Sequence, residues 1–158
     1  MKITYSKFDS IVTGVLQSAL AISLEAEVEE SCPAEKATEA SFSMEIELDD
    51  TDLEHFPMPV RFFFDLEGDD AVVHAFVGCG CSDLEAAGEA SDDYNVKGSF
   101  SDVWSIPCYP DDSGVMLTTQ FSVSNEHQLK EQLLLRLSLF TNPRFAEDLR
   151  PILQYYQD

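Results

Sequence analysis

A chain of 158 residues with 44% apolar and 11% aromatic side chains carries enough hydrophobic surface for one ordinary folded domain, and its composition excludes a disordered polyelectrolyte in spite of a formal charge of -21. The same charge excludes direct binding to nucleic acid or to an anionic membrane surface, because neutralising phosphates takes clusters of Lys and Arg that this chain lacks. It favours encounter with a basic protein surface.

The acids are unevenly spread. Residues 25–112 hold 24 acids and only three bases, Lys36, Arg61 and Lys97, so this section alone carries -21. Outside it, six acids face six bases and both ends are neutral. Four cysteines (Cys32, Cys79, Cys81, Cys108) in a chain of this size do not make a disulfide scaffold. A reduced, cytoplasmic setting is the simpler expectation. The apolar run over residues 11–24 is interrupted by Gln17, has Asp9 just before it and shows no clear small-residue cleavage site, so it reads as part of the fold rather than a leader. No run approaches the length of a membrane span.

Along the chain, Phe8, Ile11, Val12, Val15, Leu16, Ala19 and Leu20 recur at helical spacing and predict an amphipathic helix over residues 7–21, with Ser6 as its cap. The period then switches to two. Ile22, Leu24, Ala26 and Val28 alternate with Glu25, Glu27 and Glu29 as a first strand. Phe42, Met44, Ile46 and Leu48 alternate with Glu45, Glu47 and Asp49 as a second. Each would set its apolar residues on a core and its acids in water. A third strand over residues 58–66 and a fourth over 71–77 flank Glu67-Gly68-Asp69-Asp70, whose composition is that of a hairpin turn. Residues 83–90 read as a short helix or an acidic loop. Phe100, Trp104 and Ile106 suggest a fifth strand over 99–106, and Val115, Leu117, Thr119, Phe121 and Val123 give the cleanest alternation, a sixth.

Asn125 with Gln128 has the form of a capping box before a Leu-rich helix. Leu129, Leu133, Leu137 and Phe140 form its main stripe, while Leu134, Leu135 and Leu139 place apolar residues on other faces, the pattern of a deeply buried helix or of an interface between copies. Asn142-Pro143 starts a last helical segment that Pro151 should kink or divide. The whole chain, residues 1–158, reads as a single acidic α+β domain: an antiparallel sheet of about six strands, an N-terminal helix, and two C-terminal helices packed on one face.

Chemistry is sparse. Cys79-Gly80-Cys81 with His74 and Cys108 is the nearest approach to a zinc ligand set, but the usual two-residue spacer is missing, and buried thiols with a half-buried strand histidine are the simpler reading. The histidines, His55, His74 and His127, sit in no catalytic loop or nucleophile elbow, and no Gly-rich phosphate loop exists. No catalytic residue, metal or cofactor is expected.

The acidic strands remain. Carboxylates on one face of a strand repeat about every 6.6 to 6.8 Å, a scale comparable to the phosphate spacing along DNA. Glu25, Glu27, Glu29, Glu45, Glu47, Asp49, Asp50, Asp52, Asp69 and Asp70 are therefore the candidate contacts to a basic protein surface. That pattern suggests a nucleic-acid mimic that blocks a DNA- or RNA-binding protein, of the kind carried by phages and mobile elements against host defence. In size, acidity and helix-sheet-helix order the chain also resembles the small dimeric chaperones of bacterial secretion systems. That resemblance implies a homodimer, with Leu133, Leu134, Leu137 and Phe140 as the candidate interface. A salt-adapted domain with no charge-specific partner is the third reading.

Overall fold

Helix α1, Tyr5–Leu20, turns Tyr5, Phe8, Val12, Val15, Leu16 and Leu20 inward, and all six are buried. In this computed structural model the described residues are 1, 3–20, 28–30, 41–48 and 59–157, with the side chains of 28–30, 41–48 and 157 outside the description. Three short or regular strands follow, β1 (Val28–Glu30), β2 (Ser41–Leu48) and β3 (Val60–Glu67), then β4 (Asp70–Val77) and β5 (Cys79–Cys81). Next come α2 (Leu84–Lys97), β6 (Val115–Ser122), α3 (Glu126–Leu137), a 3-10 turn (Ser138–Thr141), α4 (Pro143–Leu153) and β7 (Tyr156–Gln157).

The fold is α+β. Five strands form one sheet in the order β1-β2-β3-β4-β6, every neighbouring pair antiparallel. β3 and β4 are joined through Gly68 and Asp69, and Gly68 has φ +61°, the conformation that a two-residue hairpin loop asks of its first position. β5 and β7 pair separately as a small second ladder.

Strand alternation splits the sheet into two unlike faces. Val60, Phe62, Phe64 and Leu66 of β3, Ala71, Val73, Ala75 and Val77 of β4, and Val115 and Leu117 of β6 are all buried. They form one cluster with the inner faces of α1, α3 and α4. Phe140 ties the layers together, meeting Phe62 at 5.0 Å, Trp104 at 5.2 Å and Phe145 at 5.3 Å between ring centroids, each edge to face. α1 lies against α3 and α2 against α4.

Three expectations are corrected. Residues 99–106 form no strand: they run as turns with one isolated bridge, Ser105 to Thr118, so the main sheet has five described strands rather than six. The aromatic alternation there is real burial without a ladder. Asn95 of α2 stands in for a neighbouring strand: its Nδ2 donates to the Ile106 carbonyl at 2.7 Å and its Oδ1 accepts from the Ile106 amide at 2.8 Å. Secondly, residues 83–90 are the start of a full helix, α2, capped by the Asp83 carboxylate, which accepts from the Ala86 amide at 3.0 Å. Thirdly, of the kink or division expected at Pro151, the division does not occur. The proline sits in the last turn of α4, where a missing amide removes one hydrogen bond and the helix runs on to Leu153.

Candidate functional site

The outer face of the sheet is set by cross-strand register. One row reads Glu47, Arg61, Phe76, Met116 across β2, β3, β4 and β6. The next reads Glu29, Glu45, Phe63, His74, Thr118 from β1 to β6. A third reads Ser43, Asp65, Val72, Gln120, and the last reads Ser41, Glu67, Asp70, Ser122. Because cross-strand partners share a face, six acid positions, 29, 45, 47, 65, 67 and 70, fall on one side of the sheet, and Arg61 is the single Lys or Arg among the described positions there.

Those acids do not cover the face. They lie along β1 and β2, at Asp65 across from Val72, and across the hairpin end, beside Phe63, Val72, Phe76 and Met116, all half-buried, with Arg61 and His74 among these. The contacts described on this face run within it. Phe63 and Phe76 meet edge to face at 5.6 Å, the Arg61 guanidinium lies 5.5 Å from the centre of the Phe76 ring, and His74 Nδ1 is 2.8 Å from Thr118 Oγ1.

The sequence-derived candidates divide accordingly. Glu25, Glu27, Asp49, Asp50 and Asp52 lie outside the described residues. Glu29 and Glu45 stand opposite each other in the register, and Glu47 stands opposite Arg61. Asp69 and Asp70 are at the hairpin and already engaged: the Asp69 carboxylate accepts from the Met1 amino group, and Asp70 Oδ1 accepts from Ser122 Oγ at 3.1 Å. Glu67, of the acidic cluster at residues 67–70, joins this face, and Asp65 is an addition. The parity of residues 61–67 carries the signal for Asp65, which Arg61 and Phe63 on the same face blur.

The proposed leucine interface is corrected. Leu133, Leu137 and Phe140 are at most 1% exposed, committed to the protein's own core, so they are not a surface for a second copy. Of that set only Leu134 reaches solvent, beside Leu135 at 64% exposed. The cysteine set is not assembled either. Cys79 and Cys108 are exposed, Cys81 is half-buried on β5, and His74 faces Thr118 on β4. Among the described residues no group of three His, Cys, Asp or Glu is placed to hold a metal ion.

Two further surface features were not read from the sequence. Tyr109, 57% exposed, packs over Gly88 of α2 and donates to the Glu85 carbonyl at 3.2 Å. Its phenol is pushed above the ordinary value, first by desolvation and then by Glu85, Glu89, Asp92 and Asp83 around it. Between α1 and α3, a cavity of about 310 Å³ is lined by Lys7, Ile11, Gly14, Glu126, His127 and Lys130, with Lys7 Nζ 3.7 Å from Glu126 Oε2. Among the described residues no helix is long and apolar enough to cross a membrane. No family model, curated protein or solved structure matches the chain.

Proposed function

We propose that this protein is a non-catalytic binding protein that engages a basic protein surface through the acid-bearing outer face of its sheet, acting as a nucleic-acid-mimicking inhibitor of a DNA- or RNA-binding protein. The observation that carries the reading is the register. Glu29 stands directly across from Glu45, and Glu47, Asp65, Glu67 and Asp70 share their face. Like charges directly across a strand pair cost a fraction of a kcal/mol, a penalty that a cationic partner would relieve.

The test is a pull-down from the native host at low salt, followed by competition with DNA. Captured nucleic-acid-binding proteins should be released by DNA and by rising salt, because screening shortens the reach of exposed charges to about 10 Å at 0.1 M and about 3 Å at 1 M. Glu45→Lys with Glu47→Lys should abolish capture while leaving the circular dichroism spectrum unchanged. An affinity indifferent to salt would remove the reading.

A further inference from the structure

We infer that the partner is a basic amphipathic segment, with apolar side chains set among its lysines and arginines, seated over the Phe63, Val72, Phe76 and Met116 block. This inference rests on the proposed acidic-face function and specifies its partner. A face that met only cations would present acids throughout. Here the acid positions lie along β1 and β2, at Asp65 and across the hairpin end, and beside them the sheet holds two half-buried phenylalanines, a valine and a methionine grouped around His74 and Arg61. An apolar patch beside a charged border is the anatomy of a protein recognition surface, in which the patch excludes water and the border steers and orients. Phe63 and Phe76 hold each other at 5.6 Å and Arg61 is drawn over the Phe76 ring, so the central rings already have neighbours that fix them before any partner arrives.

Charge complementarity selects the occupant. A second copy of a chain with a formal charge of -21 would bring like charge against this border, and an uncharged apolar segment would leave the border without a counterpart. A segment that alternates apolar and basic residues answers both parts, whether it docks as a strand or along a helix.

The experiment compares two synthetic peptides of equal charge on the full chain, oligolysine and an alternating leucine-lysine peptide, by calorimetry at about 0.1 M and about 1 M salt. At the lower salt both should bind. At the higher salt the alternating peptide should hold at least about a tenfold advantage, and Phe63→Ser should erase that advantage without changing oligolysine binding at low salt. Met116→Gln, a polar change on the edge strand β6, serves the same purpose if Phe63→Ser does not fold. Equal binding by both peptides at high salt, or an advantage that survives both substitutions, overturns the inference while the acidic-face reading stands. Failure of both peptides to bind at low salt overturns the acidic-face reading itself. Sedimentation closes the remaining route: a concentration-dependent dimer that Phe63→Ser dissolves would make the occupant a second copy and overturn the basic segment.

Discussion

Tyr94 Oη donates to the carbonyl of Trp104 at 2.7 Å, fastening α2 to the turn-rich segment that precedes β6. Trp104 is fully buried and donates in turn through Nε1 to the Arg136 carbonyl at 3.1 Å, so one residue, by its carbonyl and its indole, links α2, the segment and α3. Tyr94→Phe keeps the ring and removes the donor, leaving a buried carbonyl short of a partner. Urea denaturation should show a loss of about 1–3 kcal/mol with an unchanged slope. The fluorescence of Trp104, the chain's single tryptophan, should shift only on unfolding.

Alkaline pH should destabilise the fold. The phenols of Tyr94 and Tyr156 are both raised above the ordinary value, Tyr94 by burial and then by Asp148 and Asp102, Tyr156 by burial and then by its hydrogen bond with Cys81. In the unfolded chain these groups lose their protons near pH 10, about the ordinary tyrosine value, while the folded chain still holds them. The unfolded state then binds fewer protons, so stability is intact below that pH and falls as pH rises beyond it. Denaturant midpoints measured from pH 8 to about 11 should be flat and then drop. Tyr94→Phe should make the drop shallower.

Gly114 accepts no side chain. Its φ is +137°, and a β-carbon there would lie 2.8 Å from the Val77 carbonyl oxygen and 2.9 Å from that of Gly78, both backbone atoms that cannot swing aside. Gly114→Ala should cost about 1–3 kcal/mol in chemical denaturation, from backbone strain and the displaced end of β4. Equal stability would show that the entry into β6 can relax.

Gly88 gives the opposite case. An added β-carbon would fall 1.9 Å from the Tyr109 ring, but that ring is the far end of an exposed side chain and can turn away. Gly88→Ala should therefore leave the melting temperature close to the parent's, since alanine is the better helix former. Ultraviolet titration should show one phenol returning toward the ordinary value as Tyr109 leaves its acidic surroundings.

Much of the architecture was legible wherever periodicity reports burial directly. α1, β3, β4, β6 and the Asn125 cap of α3 follow from apolar spacing and from short-range hydrogen bonds, such as Asn125 Oδ1 accepting from the Gln128 amide at 2.9 Å. In the 99–106 segment the same periodicity reports burial without a strand. Phe100, Trp104 and Ile106 have strand-like spacing, but Asn95 satisfies the Ile106 amide and carbonyl, Tyr94 bonds the Trp104 carbonyl and only Ser105 bridges to β6, and no local pattern announces partners ten and eleven residues back in a helix. The full length of α2 leaves little trace in the sequence because its buried face is made of Ala87, Gly88, Ser91 and Tyr94, which form no apolar stripe.

By itself, the sequence determined the class of the fold, the acidity of its middle section and the parity of each strand, because charge and side-chain alternation are properties of neighbouring residues. Only the tertiary structure decided which strands stand side by side, and hence that Glu45 stands opposite Phe63 in the register and that Asp65 and Glu67 join the same face. It also decided that Leu133, Leu137 and Phe140 belong to the interior. Those outcomes come from contacts between residues far apart in the chain, where burial of one shared core selects a single register among several that local pattern would allow.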